Sequence, residues 1–117
     1  MKKDKRRDDM SIIEIDESEF EQEIEAAFER GDIVIIKFGS MYCDSCMALG
    51  FELEELDEKM DNLTVLEIDT PASEELAQLY DIVEVPTMKI YKDREHLIYD
   101  GVGVRLAADI EQIIKEN

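Results

Sequence analysis

The pattern of apolar and polar residues changes period several times along the chain, and each period predicts a different kind of element. The runs 33–38 and 64–68 are almost continuously apolar and rich in β-branched residues, which is typical of strands covered on both faces. Between these runs, apolar residues recur at helical spacing, at Leu49, Leu53, Leu56 and Met60. This spacing predicts a helix of about four turns that begins near Cys46.

The chain before residue 33 predicts a strand followed by a helix. Residues 10–16 have the composition of a short strand, and Ser18 with Glu21 three positions later forms a capping-box signature. The apolar face of the helix that this signature opens consists of Phe20, Ile24, Ala27 and Phe28. Gly31 is suited to end that helix, because glycine adopts the left-handed conformation common after a helix.

The last part of the chain predicts a short helix, a hairpin and a final helix. We expect Ser73 to cap the short helix, and residues 87–91 and 96–99 to form two strands joined by the polar turn 92–95. The apolar stripe of the final helix consists of Leu106, Ile110, Ile113 and Ile114. The order β-α-β-α-β-α-β-β-α predicts an α/β fold. Its early units give parallel pairing and its hairpin adds an antiparallel part, so the sheet is mixed, with helices on both faces.

The formal charge of −18 is large for 117 residues, and it is unevenly distributed. The first ten residues hold five of the 13 basic residues and three of the 31 acidic ones, which leaves a charge of −20 for residues 11–117. A surface of this sign repels phosphates, so we expect no nucleic-acid partner. Two interpretations stay open: a solvated surface without a specific role, or steering of the molecule towards basic partners.

Length and composition predict one globular domain, residues 10–117, preceded by a charged leader, residues 1–9, that we expect to be disordered. An apolar content of 44% is ordinary for a globular protein of this size. No apolar run approaches the roughly 20 residues that span a bilayer. No apolar segment of a secretory signal follows the charged start either. We therefore expect a cytoplasmic protein that has no membrane partner.

Cys43 and Cys46 are the only cysteines of the chain, and they lie where the predicted strand 33–38 gives way to a helix. A thiol at the start of a helix is close to unpaired backbone N–H groups and to the positive end of the helix dipole, and both stabilise a thiolate. In a reducing cytosol, such a close pair indicates redox chemistry or metal binding rather than a structural disulfide.

The element order, with a cysteine pair after the second strand, resembles the thioredoxin family over residues 10–117. The residues that carry the resemblance are Lys37-Phe38, Tyr42, Cys43-Asp44-Ser45-Cys46, Ile68-Asp69, Val85-Pro86-Thr87 and Gly103. A CxxC motif alone is a weak signal, but its combination with Val-Pro-Thr about forty residues later is a strong one. The resemblance implies a thioredoxin fold.

The resemblance also implies that the chain reduces disulfides in proteins. Cys43 would attack the substrate disulfide, and Cys46 would resolve the mixed disulfide that forms. Pro86 would occupy the family's cis-proline position, and the backbone of Val85 beside it would pair with an extended substrate segment. The rim on which partners dock would consist of Tyr42, Val85, Val102 and Gly103.

Two departures from the family pattern lie beside the cysteines. Asp44-Ser45 replaces the usual Gly-Pro, and we expect the charge of Asp44 to destabilise the neighbouring thiolate and make the couple more reducing. Lys37 stands where the family has a buried aspartate, and Val65 stands where that aspartate has a lysine partner. Several roles stay open for Lys37. It stabilises the attacking thiolate when charged, accepts a proton from the resolving thiol when neutral, or extends to solvent or a surface carboxylate.

Other interpretations of the cysteine pair also remain. One is an inert dithiol. Another is a zinc site, which is disfavoured because zinc takes four ligands and only His96 could join the cysteines without carboxylates. A glutathione-dependent role is disfavoured, because an acidic site suits a doubly carboxylated tripeptide poorly. The main alternative to a reductase is a thioredoxin-fold interaction module for one dedicated partner. For the reductase we expect a monomer without a bound cofactor or metal, supplied with electrons by a separate thioredoxin-reductase-like donor.

Overall fold

The computed structural model describes residues 11–117, which form five strands and four α-helices in the predicted order. The strands are β1 (Ile12–Ile15), β2 (Ile33–Gly39), β3 (Leu63–Asp69), β4 (Thr87–Asp93) and β5 (His96–Val102). The helices are α1 (Glu17–Glu29), α2 (Asp44–Lys59), α3 (Glu74–Leu79) and α4 (Ala107–Glu116), and a 3-10 turn, Thr70–Ala72, precedes α3. The predicted leader, residues 1–9, lies outside the described residues.

The strands form one sheet in the order β1-β3-β2-β4-β5. β1, β3 and β2 are parallel, whereas β4 is antiparallel to both β2 and β5. All seven residues of the central strand β2 are buried, as its continuous apolar run predicts. The mixed sheet expected from the sequence is therefore confirmed.

Helices cover both faces of this sheet, and alternate residues of β2 contact the two layers. The α2–α4 side of the core contains Ile33, Ile35, Leu49, Leu53, Val65, Ile90 and Ile110. The α1–α3 side contains Phe20, Ile24, Val34, Ile36, Phe38, Leu66 and Leu76. By this alternation Lys37 lies on the α2 side, beneath the helix that carries the cysteines.

The first helix begins earlier than the sequence predicted. Its N-cap is Asp16, whose carboxylate accepts the backbone N–H groups of Ser18 and Glu19 at 2.9 and 3.2 Å. The Glu19 carboxylate accepts the N–H of Asp16 in return, so the predicted capping box of Ser18 and Glu21 is wrong. The same spacing occurs twice in this stretch, and Asp16 follows β1 directly with the extended backbone that an N-cap needs.

Two further helix starts depend on residues distant in sequence. Ser73 lies at the N-cap of α3, but its side chain makes no capping hydrogen bond. Instead, a backbone N–H of α3 donates to Glu17 of α1 at 3.0 Å. Leu106 precedes α4 and is 57% exposed, so it does not belong to the apolar stripe as predicted. The first N–H of α4 donates to Glu52 of α2 at 2.8 Å.

Three loops meet at one end of the sheet. β2 ends at Gly39, and the penultimate residue of β2, Phe38, pairs with Thr87 at the start of β4. Thr87 pairs in turn with Val102, the last residue of β5. The loop that precedes α2 therefore lies near residues 84–86 and near Gly103.

Candidate active site

Cys43 and Cys46 lie at the N-terminus of α2 and form a disulfide. Cys43 is the N-cap residue, so α2 begins at Asp44, two residues before its predicted start. Its sulfur accepts the backbone N–H of Cys46 at 3.1 Å. Cys43 is partly exposed, whereas Cys46 is only 3% exposed. The two sulfurs therefore differ in access, and an incoming molecule reaches Cys43 first.

The environment of Cys43 favours a thiolate once the disulfide opens. Its sulfur lies at the positive end of a 16-residue helix and already accepts one backbone N–H. The Ser45 hydroxyl is 3.6 Å from the same sulfur, within reach of a hydrogen bond. Asp44 and Ser45 are both exposed, and the carboxylate of Asp44 belongs to the first helical turn. Asp44 therefore benefits from the helix dipole but opposes a negative charge on its neighbour.

The loop on the other side of the site contains the expected cis peptide bond, between Val85 and Pro86. The carbonyl of Pro86 accepts the N–H of Gly103 at 2.8 Å, which joins this loop to the end of β5. Gly103 has a φ of 101°, a conformation that glycine adopts without strain. Within residues 11–117 the backbone of Val85 makes no hydrogen bond, so its N–H and carbonyl are available to another chain.

The residues predicted to form a docking rim lie around these loops with different exposure. Tyr42 is 95% exposed and Val102 is 56% exposed, while Val85 is partly buried and Pro86 is buried. Side chains of this size are costly to leave in water, and exposed apolar clusters commonly mark interaction sites. The structure thus brings together the rim residues carried by β5 and by the 85–86 loop.

Behind the cysteines, Lys37 forms an ion pair with Glu67 of β3. The ammonium nitrogen and a carboxylate oxygen are 3.2 Å apart, and the two residues face each other in the parallel register of β2 and β3. The Lys37 side chain is 10% exposed and that of Glu67 is 28% exposed. Val65, which stands at the family's partner position, is fully buried and pairs with Ile35 instead. Of the roles left open for Lys37, the structure shows the pairing with a carboxylate.

A cavity of about 200 Å³ connects this ion pair with Cys46. Its lining consists of Glu14, Lys37, Gly39, Ser40, Met41, Cys46, Glu67, Ile68 and Asp69. Gly39 leaves room for the sulfur, because a Cβ atom at that position would lie 3.2 Å from Cys46 Sγ. Gly50 of α2 does the same for Lys37, whose Nζ would lie 3.1 Å from an added Cβ. The buried sulfur therefore borders a cavity whose lining includes the Lys37–Glu67 ion pair.

Sequence reasoning missed three participants in this site: Glu67, Gly39 and Gly50. Glu67 carried a detectable signal, since it is the one charged residue within the apolar run 64–68 and lies on the same face of the sheet as Lys37 once the strands are in register. The two glycines carried none, because their role depends on which side chains approach them in space.

His96 lies away from the cysteines, in the hairpin, where a ring nitrogen is 2.7 Å from Asp93. Over residues 11–117, no three His, Cys, Asp or Glu side chains are grouped as a metal site would require. In the same residues, no helix is long and apolar enough to cross a membrane.

A cysteine pair that closes across the first turn of a helix, with one sulfur accessible and the other buried, defines the class of thiol–disulfide oxidoreductases. The family profile described as Thioredoxin matches residues 11–116. The chain belongs to the thioredoxin family, and the thioredoxin fold expected from the sequence is confirmed.

Individual relatives agree with this assignment along nearly the whole chain. Thioredoxin of Bacillus subtilis is 26% identical over 109 residues, which cover 92% of this chain and 99% of that protein. The crystal structure of chloroplastic thioredoxin z is 28% identical with a TM-score of 0.80, covering 92% of this chain and 94% of the other. Reduced Schistosoma mansoni thioredoxin pre-protein is 26% identical with a TM-score of 0.76, covering 92% and 98%.

Proposed function

We propose that this protein reduces disulfides in other proteins, with Cys43 as the attacking residue and Cys46 as the resolving residue. The observation that carries the proposal is the difference between the two sulfurs. Cys43 is accessible and caps α2, whereas Cys46 is buried behind it. This difference supports the proposed order of the two steps, because a protein substrate reaches the accessible sulfur first.

The reaction balances as two thiol–disulfide exchanges. The Cys43 thiolate attacks one substrate sulfur, the substrate S–S bond breaks, and the other substrate sulfur leaves as a thiolate that takes up a proton. The Cys46 thiol then loses its proton and attacks the Cys43 sulfur, which breaks the mixed disulfide and releases the second substrate sulfur as a thiolate, and this thiolate takes up the second proton. The substrate gains two electrons and two protons, and the protein is left with its own disulfide.

The loop opposite the cysteines supports the binding of an extended substrate segment. Val85 has an unbonded N–H and carbonyl, and β-augmentation uses such backbone groups to align a partner strand. Tyr42, Val102 and Gly103 provide the surrounding contact surface. In this proposal Pro86 holds the loop in place through the hydrogen bond that its carbonyl accepts from Gly103.

A complete cycle requires that the Cys43–Cys46 disulfide be reduced again. We propose that a separate dithiol donor of the thioredoxin-reductase kind supplies the two electrons, and that the protein acts as a monomer without a bound cofactor. A cytoplasmic location fits this cycle, because a reducing compartment keeps such a donor in its reduced, dithiol state.

A turnover assay separates this function from that of an interaction module. With dithiothreitol as donor and a disulfide-bonded protein as substrate, we expect turnover by the wild type. We expect loss of nearly all turnover in Cys43→Ser. Ala48→Ser serves as the matched control, because it also introduces a serine, at an exposed position of α2, and it should retain full turnover. No turnover by the wild type, or full turnover by Cys43→Ser, would contradict the proposal and favour the module.

A further inference from the structure

A groove runs beside the cis peptide bond, between the segment that follows α3 and the face of the β4–β5 hairpin. Its volume is about 380 Å³. The lining consists of Tyr80, Asp81, Val83, Glu84, Thr87, Lys89, Asp100 and Val102. Glu84 and Thr87 flank the Val85–Pro86 bond, so the groove continues directly from the unbonded backbone of Val85.

The groove exposes apolar side chains along both of its walls. Val83 is 91% exposed on the wall that follows α3, and Val102 is 56% exposed at the end of β5. β5 is the edge strand of the sheet, so no further strand covers this side among the described residues. Apolar walls of this kind suit the side chains of a bound chain rather than free solvent.

The charges that line the groove are predominantly negative. Asp81, Glu84 and Asp100 contribute carboxylates, and the single lysine of the lining, Lys89, is already paired with Asp100 at 2.9 Å. In the part of the chain that the structure describes, Asp81 and Glu84 are exposed and have no ion-pair partner. Burial raises the pKa of Tyr80 to about 12, so its phenol stays neutral at physiological pH. The groove therefore has an excess of negative charge.

We propose that this groove binds the segment that flanks the reactive disulfide of the substrate, and that this segment is extended and positively charged. The inference rests on the proposed reductase function and names its substrate class. A strand aligned on Val85 would direct alternate side chains into the groove. Lysine or arginine at those positions would meet Asp81 and Glu84, and the formal charge of −18 would steer such partners towards the protein.

Two disulfide peptides that differ only in the charge of the flanking residues test this inference. One peptide has two arginines beside the reactive disulfide and the other has two glutamines. The readout is the ratio of kcat/KM for the two peptides, measured with wild-type protein and dithiothreitol. The groove variant is Asp81→Asn with Glu84→Gln. Asparagine suits the φ of 58° at position 81, so the turn is preserved, and circular dichroism verifies folding.

The matched control is Glu54→Gln with Glu95→Gln, which removes the same charge from exposed positions on α2 and in the hairpin turn. We expect the wild type and this control to prefer the cationic peptide by about five-fold, the effect of two partly exposed ion pairs. We expect the preference to shrink towards one-fold in the groove variant. It should also shrink at about 0.5 M NaCl, where charges are screened over a few ångströms.

Equal kcat/KM for the two peptides, or a preference that survives in the groove variant, would overturn the inference while leaving the reductase function intact. A preference lost equally in the control would overturn it too, because general charge steering would then explain the result. A third result would also overturn the inference: no preference in the wild type, but a preference once the five basic residues among positions 1–10 are changed to glutamine. That result would mean that the occupant of the groove in the wild type is this chain's own basic segment and not the substrate. Failure to reduce either peptide would remove the proposed function as well.

Discussion

The ammonium group of Lys37 lies inside the molecule, 3.2 Å from the carboxylate of Glu67 and beneath the helix that carries the cysteines. Glu67 also pairs with Glu14 in the β1–β3 register, so Glu67 on β3 lies between Glu14 on β1 and Lys37 on β2. A buried lysine without a partner would lose its charge or destabilise the fold. Glu67 therefore explains how a lysine can occupy this position.

Removing the lysine alone should destabilise the protein. Lys37→Met leaves the Glu67 carboxylate without its partner and next to Glu14, so we expect the free energy of unfolding to fall by about 1–3 kcal/mol. This is less than for a fully buried pair, because Glu67 is 28% exposed. Urea denaturation measures the change.

The double variant Lys37→Met with Glu67→Leu provides the control for that experiment. It removes both charges, so it should recover part of the stability that Lys37→Met loses. A double variant that is less stable than the single one would show that the ion pair is not what supports Lys37.

Asp44 follows Cys43 directly and lies in the first turn of α2. The described residues hold no ion-pair partner for this carboxylate, whereas Glu67 neutralises Lys37. Asp44 should therefore dominate the thiolate balance, and the wild-type potential should lie below the value of about −270 mV for thioredoxin. Asp44→Asn should raise the potential by about 10–20 mV, since exposed charge interactions are weak.

A redox titration against a dithiothreitol buffer measures this shift. Glu54→Gln removes an equal charge from an exposed position further along α2 and should leave the potential unchanged. A potential that stays constant or falls in Asp44→Asn would contradict the assignment.

At the scale of elements, the start of α1 depends on an ionised side chain. The hydroxyl of Ser18, followed by the backbone N–H groups of Glu19 and Ser18, holds the pKa of Asp16 below its usual value of 3.8. A carboxyl with a lowered pKa stabilises the fold fully above its unfolded pKa and loses that contribution as the pH falls through the folded pKa. The contribution of Asp16 is therefore present above about pH 5 and disappears in more acidic solution.

Comparison with Asp16→Asn isolates this effect. Asparagine keeps the capping geometry but does not titrate, so the wild type should be the more stable protein at pH 6 and should lose this advantage near pH 3. The variant is needed because His96 also lowers the pKa of Asp93, which titrates in the same range. Urea denaturation at the two pH values measures the difference, and a constant difference would contradict the role of the carboxylate.

The types and the order of the elements were predictable because they depend on local periodicity. The strand predicted by the continuous apolar run 33–38 and the helix predicted by the apolar spacing after Cys46 are both present in the structure, as β2 and α2. The capping groups were not predictable, because Glu17 reaches a helix 59 residues away and Glu52 reaches one 55 residues away. The predicted capping box at Ser18 was wrong for a different reason. Asp16 with Glu19 and Ser18 with Glu21 both have the capping-box spacing, and the extended backbone of Asp16 after β1 makes Asp16 the N-cap.

At the scale of the whole molecule, the fold brings three distant parts of the sequence to one end of the sheet. The cysteines follow β2, the cis peptide bond precedes β4, and Gly103 follows β5. The resemblance to thioredoxins located these parts in the sequence. The groove lined by Asp81 and Glu84 was not predictable from spacing, because it forms only where the segment after α3 faces the hairpin.

The excess negative charge of the molecule acquires a specific interpretation at this scale. The sequence left open whether the charge is merely solvating or steers basic partners. The carboxylates of the groove lie beside the docking rim, which favours steering of basic partners there. The carboxylates further along α2 do not line the groove, so a solvating role suffices for them. The matched charge variants proposed above compare these two locations directly.

Trapping of the mixed disulfide tests the central claim, that Cys43 attacks and Cys46 resolves, most directly. Reduced Cys46→Ser is incubated with a disulfide-bonded protein, and the products are analysed by mass spectrometry without reductant. We predict a covalent adduct through Cys43 that accumulates, because no second sulfur remains to release it. Reduced Cys43→Ser should form almost none, since Cys46 is only 3% exposed. Equal adduct formation by the two variants, or none by Cys46→Ser, would contradict the account.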